Sequence, residues 1–212
     1  MNANRVRVKV CGITRVEDAV AAAQLGADAI GLIFTARSPR RLDIYAAAAI
    51  ARALPPFVTR VGLFMDDPAA LVEAALARVG LDIVQFHGAE DAQWCQQFER
   101  PYLKAVPMAD ASPDVIAAVA AAHPRAAGLV LDGHGAGEAG GSGRRFDWAL
   151  ARASQAPPIV LAGGLSPDNV AAAIKLAAPW AVDVSSGVES AVGIKDRAKM
   201  QRFITEVYRV AR

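Results

Sequence analysis

Residues 6–14 read VRVKVCGIT, a β-branched run that ends in a turn carrying a cysteine and a single glycine. In an open doubly wound sheet the turn after the first strand normally holds a Gly-rich phosphate loop, and an acid that grips ribose often follows the second strand. The turn Cys11-Gly12-Ile13-Thr14 contains no G-x-G-x-x-G. Glycines gather late instead, at Gly133–Gly143, at Gly163-Gly164 and in Ser185-Ser186-Gly187, which is where closed barrels place a phosphate site.

Outward from that first run, short β-branched segments alternate with Ala-rich helical ones to the end of the chain, the pattern of a parallel sheet with crossover helices. Eight strands are expected, at Val6–Val10, Ala29–Phe34, Thr59–Phe64, Ile83–Phe86, Tyr102–Ala105, Gly128–Leu131, Ile159–Ala162 and Ala181–Val184. The fifth is the least marked, being short and interrupted by Lys104. Eight such units favour an α/β fold of one domain over residues 1–212, a (β/α)8 TIM barrel.

Helix signals fit the scheme. Thr14 and Glu17 have capping-box spacing, Gly26 suits a helix C′ position, and Asp67-Pro68, Ser112-Pro113 and Ser166-Pro167 read as N-cap followed by a first-turn proline. Met200, Phe203, Ile204, Val207, Tyr208 and Ala211 make an apolar stripe that closes the outer helical ring. The Gly-rich run Gly133–Gly143 is expected to be a mobile loop over the active face.

Composition narrows the function. Lys and Arg total 23 against 21 Asp and Glu, with no basic run suited to a nucleic-acid backbone. No apolar stretch approaches a membrane span, and no signal core precedes the first strand, so a cytoplasmic protein is expected. Two cysteines, Cys11 and Cys95, make no disulfide framework, and with His87, His123 and His134 they show no zinc-ligand spacing. No metal and no membrane or nucleic-acid partner is expected.

Chemistry in such barrels stands at the carboxyl ends of the strands, where Cys11, His87 and Asp132 fall. Alternation along the first strand sends Val6, Val8 and Val10 toward the helices and Arg7, Lys9 and Cys11 into the barrel; on the last strand it sends Asp183 inward. Lys9 and Asp183 are therefore expected to pair, and a cation near Cys11 would lower the thiol pKa. Cys95, inside a helical segment, reads as a small buried hydrophobe.

Six segments then agree with one family: Lys9–Thr14, Val61–Asp66 (VGLFMD), Val84–Gly88 (VQFHG), Gly140–Trp148 (GGSGRRFDW), Leu161–Leu165 (LAGGL) and Ala181–Glu189 (AVDVSSGVE). Together, in order from the first strand to the last, they resemble the phosphoribosylanthranilate isomerases of tryptophan biosynthesis. The resemblance implies a cofactor-free Amadori rearrangement of N-(5-phosphoribosyl)anthranilate to 1-(2-carboxyphenylamino)-1-deoxyribulose 5-phosphate. It makes Asp132 the acid that protonates the ribose ring oxygen and Cys11 the base that removes the C2′ proton.

Asp132 would then need a raised pKa, and Cys11 would need to lose its proton. Phosphate is expected at Gly141 and Gly143, at Gly163 and Gly164, and at Ser185, Ser186 and Gly187, where glycine lets backbone N–H groups approach an anion. The resemblance assigns the substrate carboxylate to Arg40, with Arg37 and Arg41 as competitors in the same loop; His87 is expected either to line the ring pocket or to bond to backbone, without a proton-transfer role. Phe86, where the family commonly has leucine, points toward the helices. A small phosphorylated substrate and a monomer rather than a homodimer are expected. The alternatives are another phosphosugar barrel isomerase, or a barrel that binds a phosphosugar without turning it over.

Overall fold

Strand β1 (Arg7–Cys11) lies parallel between β2 (Ala29–Ile33) and β8 (Ala181–Val184). Around the circle follow β3 (Thr59–Phe64), β4 (Ile83–Phe86), β5 (Tyr102–Pro107), β6 (Gly128–Asp132) and β7 (Ile159–Leu161), all parallel, so the eight strands close a barrel in sequence order. The structure, a computed structural model, describes residues 5–109, 111–135, 146–152 and 157–210. Gly141, Ser142, Gly143, Arg144 and Arg145 lie outside those residues, as does most of the Gly-rich run.

Helices α1 (Val16–Gln24), α2 (Ile44–Ala53), α3 (Ala69–Val79), α4 (Ala92–Gln96), α5 (Pro113–Ala122), α6 (Ala149–Arg152), α7 (Val170–Ala177) and α8 (Arg197–Val210) surround the barrel. Between β8 and α8 the chain makes a short helical turn, Ser186–Val188, and a small hairpin of β9 (Glu189–Ala191) and β10 (Ile194–Lys195) that period-2 patterning did not reveal. No helix among the described residues is long and apolar enough to cross a membrane.

Strand alternation sorts the core into two layers. Val6, Val8, Val10, Tyr102, Val106, Val182 and Val184 pack with the helices, where Phe86 meets Trp94 and Phe98 at ring distances of 5.2 and 5.8 Å. Inside the barrel, Cys11, Ile33, Val61 and Leu63 form one apolar group and Leu103, Ala105, Val130, Val160 and Ala162 another. Strand β5 runs longer than its sequence suggested because Lys104 faces the outer layer and is neutralised there, its Nζ 2.9 Å from Glu90 Oε2. Glu90 in turn accepts the N–H groups of Asp66 and Gly88.

Helix starts were read less well. α1 begins after Arg15, not Thr14, because the Thr14 hydroxyl donates to the Gly193 carbonyl and so ties α1 to the β9–β10 turn. Before α3, the Asp67 carboxylate accepts from Met65 N–H at 2.9 Å and leaves Pro68 at the N-cap. α7 starts three residues past Pro167, since Asn169 Oδ1 accepts from Ser166 N–H and first folds a turn. α5 starts at Pro113 as expected, and α8 buries Met200, Phe203, Ile204 and Val207, with Ala211 outside the described residues.

The ring closes over a charge pair. Register places Lys9 opposite Asp183, and Lys9 Nζ donates to Asp183 Oδ2 at 2.7 Å with both side chains buried. Burying two ions is repaid only by that contact, so removing one partner exposes the full penalty of the other. Asp183→Asn should therefore lower unfolding free energy by about 3–5 kcal/mol, while Lys9→Met combined with Asp183→Leu should recover most of it. Urea denaturation of the three proteins checks this; a single-variant loss under about 0.5 kcal/mol would contradict it.

Candidate active site

The strands deliver Cys11 at the end of β1, Gln85 on β4, His87 just beyond it and Asp132 at the end of β6 to the mouth of the barrel. There they line one cleft of about 720 Å³ including its open mouth, together with Arg40, Gly163, Gly164, Ser185 and Ser186. Gly187 sits beside it. The β8 turn packs so tightly on the β7 turn that a β-carbon at Gly187 would overlap the Leu165 carbonyl oxygen, so only glycine holds the two turns together here. Room for the thiol is made in the same way: a β-carbon at Gly31, the β2 residue opposite Cys11, would stand 2.6 Å from Cys11 Sγ.

Of the three arginines in the β2–α2 loop, Arg40 alone lines the cleft. Arg37 is half exposed with Nη2 3.5 Å from Asp66 Oδ2, and Arg41 is exposed. The loop turns on itself through Leu42 N–H to Ile33 carbonyl at 2.8 Å and Arg40 N–H to Ser38 Oγ at 3.2 Å. Arg40 is 6% exposed because its Nε and Nη2 each donate to a Glu189 carboxylate oxygen at 2.8 Å. That fork uses two of the five guanidinium donors and leaves Nη1 and the second hydrogen of Nη2 to form another.

Lys195 of β10 completes the cluster. Its Nζ lies 2.8 Å from Glu189 Oε1 and 3.2 Å from the Ser185 carbonyl. Two cations against one carboxylate leave a positive excess at the cleft wall, suited to an anionic ligand. Burial works against the Glu189 charge, but hydrogen bonds from Arg40 and Lys195 outweigh it and hold the carboxyl below its usual range. Burial also depresses Lys195, against the pull of Glu189.

The two reactive groups are poised opposite to what sequence reasoning required. Burial pushes the Cys11 thiol up; Lys9 and Lys195 pull it down, but Asp183 opposes them and burial prevails. The cation beside the thiol is present, and its own counter-ion limits its effect. For Asp132, burial raises the carboxyl, yet His134 and His87 outweigh it and hold it well below the usual carboxylate range. Asp132 Oδ2 lies 3.5 Å from both His87 Nε2 and His134 Nδ1. Gln85 Nε2 is 3.2 Å from the other ring nitrogen of His87. Cys95, the second thiol, sits in α4 away from the cleft and is pushed up to about 12, chiefly by burial.

Sequence reasoning passed over His134, Gln85, Glu189 and Lys195. His134 stands two residues past Asp132, and strand-like alternation continued to Gly133 and His134 would have returned it to the same side. Lys195 carried no such sign, because its hairpin is held by side-chain and turn contacts.

A family model described as N-(5'phosphoribosyl)anthranilate (PRA) isomerase matches residues 8–206. An N-(5'-phosphoribosyl)anthranilate isomerase of Pseudomonas aeruginosa is 54% identical over 202 residues, 95% of each chain. Its counterpart in Thiobacillus denitrificans is 50% identical over 95% of this chain and 97% of its own. Among solved structures, phosphoribosyl anthranilate isomerase from Thermotoga maritima superposes with TM-score 0.86 at 37% identity, covering 95% of this chain and 98% of that one. A phosphoribosyl anthranilate isomerase in complex with reduced 1-(o-carboxyphenylamino)-1-deoxyribulose 5-phosphate superposes with TM-score 0.83 at 35% identity over the same shares. Matched along the barrel from β1 to α8, and half identical to relatives of equal length, the chain belongs to the N-(5'-phosphoribosyl)anthranilate isomerase family.

Proposed function

We propose that this chain performs the family's Amadori rearrangement, turning N-(5'-phosphoribosyl)anthranilate into 1-(2-carboxyphenylamino)-1-deoxyribulose 5-phosphate, with Asp132 as acid and Cys11 as base. The observation that carries the reading is the convergence of Cys11, Asp132 and Arg40, from three distant segments, on one cleft with the β7 and β8 turns. An aldose-to-ketose shift is an internal redox change and needs an acid, a base and anchors for the two anionic ends of the substrate. Arg40 offers its free fork to the anthranilate carboxylate, and Glu189 fixes the direction of that fork. Backbone at Gly163, Gly164, Ser185, Ser186 and Gly187 takes the phosphate, with Gly141 and Gly143 of the preceding loop as further donors.

The proton inventory is the main demand on this mechanism. At rest one proton sits on the Cys11 thiol and the Asp132 carboxyl is ionised. Ring opening needs the proton on Asp132 and proton abstraction needs it off Cys11. The phosphate and carboxylate of the substrate raise the proton affinity of Asp132, whose carboxylate oxygen stands 3.5 Å from His87 and His134. The iminium cation formed on ring opening then favours the Cys11 thiolate that receives the C2′ proton. Two buried free cysteines support a reducing, cytoplasmic setting.

Cys11→Ser should reduce turnover roughly 10²–10⁴-fold with the fold intact, because a hydroxyl does not ionise near neutrality. Asp132→Asn should fall on a comparable scale, and a ring-opened substrate analogue should partly rescue it but not Cys11→Ser. Steady-state assays of both variants check this, and near wild-type turnover of Cys11→Ser would remove Cys11 as the base.

Arg40→Ala removes a charge-assisted fork worth about 1.5–3 kcal/mol, so KM should rise about 10–150-fold with kcat less affected. Glu189→Gln should shift KM in the same direction. A larger KM effect from Arg37→Ala or Arg41→Ala would move the carboxylate site elsewhere in the loop.

A further inference from the structure

His134, just past β6, is buried against His87 and Asp132, two residues that line the cleft, and its place there goes beyond an acid and a base. Three ligand atoms converge: His87 Nε2 and His134 Nδ1 are 3.4 Å apart, and Asp132 Oδ2 is 3.5 Å from each. A tetrahedral zinc ion with bonds of about 2.0–2.1 Å requires its ligand atoms about 3.3–3.4 Å from one another. The triangle already has nearly that edge without any side chain moving. The two imidazole rings lie 4.4 Å apart at their centroids with a tilt of 32°, which keeps the two nitrogens close neighbours of the same carboxylate oxygen.

We propose that His87, Asp132 and His134 form a binding site for a zinc-class divalent cation, whose occupancy blocks the proton transfer through Asp132. Two imidazoles and one carboxylate select zinc, cobalt or nickel over magnesium and calcium, which take oxygen ligands. The fourth position opens to the cleft, since His87 and Asp132 both line it, leaving room for water or a substrate oxygen. Gln85 can set the tautomer of His87 once its amide is turned end for end. The Gln85 amide, 3.2 Å from His87 Nδ1 and 1% exposed, holds that nitrogen protonated when its oxygen end faces it, which frees the Nε2 lone pair for the metal. Gln85 Oε1 has no hydrogen-bond partner among the described residues, so the half-turn exchanges only the contact of Nε2 with His87.

Binding of the ion stands on geometry alone, whereas inhibition by it rests on Asp132 being the acid. The two are therefore measured separately. Chelator-stripped full-length protein is titrated with zinc chloride in a calorimeter, and one saturable ion per chain is expected, with no heat from magnesium. His134→Leu should weaken zinc binding more than about 100-fold and Gln85→Leu about 10–100-fold, while Cys11→Ser should leave it unchanged. Cobalt in wild-type protein should give intense visible bands without a thiolate charge-transfer band. Because a cleft variant can lose its fold, imidazole NMR of the wild type supplies a second reading, with zinc shifting His87 and His134 but not His123. No saturable binding, unchanged binding in folded His134→Leu, a thiolate band, or shifts confined to His123 would each overturn the site. Zinc should also stop turnover, with EDTA restoring it; binding without inhibition would overturn the regulatory half and bring the role of Asp132 into question.

Discussion

The structure depends on the joint between β1 and β8, where Lys9 and Asp183 are placed opposite each other inside the barrel. A parallel sheet leaves two raw edges unless its first and last strands meet, and here they meet over an ion pair that neither residue tolerates losing. That joint sets the active face. It carries Cys11 one residue past the last β1–β8 pair, next to the β8 turn of Ser185 and Ser186, and directs the β9–β10 hairpin back over the mouth. Glu189 and Lys195 on that hairpin then pin Arg40, which arrives from the opposite side of β1 on the β2–α2 loop.

Burial and charge compete at each working group, and the winner differs. At Cys11 burial wins, because the cation that would stabilise a thiolate is already committed to Asp183. At Asp132 the neighbouring imidazoles win and the carboxyl stays ionised. With Asp132 as the proposed acid and Cys11 as the proposed base, the proton at rest sits on the base rather than on the acid. In the proposed mechanism, the charge of the substrate redresses that balance once both of its anionic ends are seated.

Much of the fold was legible because strand periodicity is local in origin and eight such units favour a closed barrel. Eight β-branched runs were placed within a residue or two, and inward alternation together with barrel closure predicted that Lys9 would meet Asp183. That Cys11, His87 and Asp132 would meet at one mouth was legible from their places at strand ends, and Arg40 was added by motif resemblance; all four line the cleft. What escaped were features decided by distant partners. Thr14 was expected to cap its own helix but bonds to Gly193, and Asp67 turns back to Met65. The hairpin bearing Lys195 has no periodic pattern, and the meeting of His134 with His87 depends on the barrel bringing β4 and β6 within reach.

The most direct measurement follows the fluorescence of enzymatically generated phosphoribosylanthranilate after adding the purified chain in buffer containing EDTA and no cofactor, with the product weighed by mass spectrometry. The account predicts that fluorescence falls in proportion to enzyme and that a product of unchanged mass, the ketose, accumulates. Fluorescence that persists, or a loss of ribose phosphate that releases anthranilate, would contradict it.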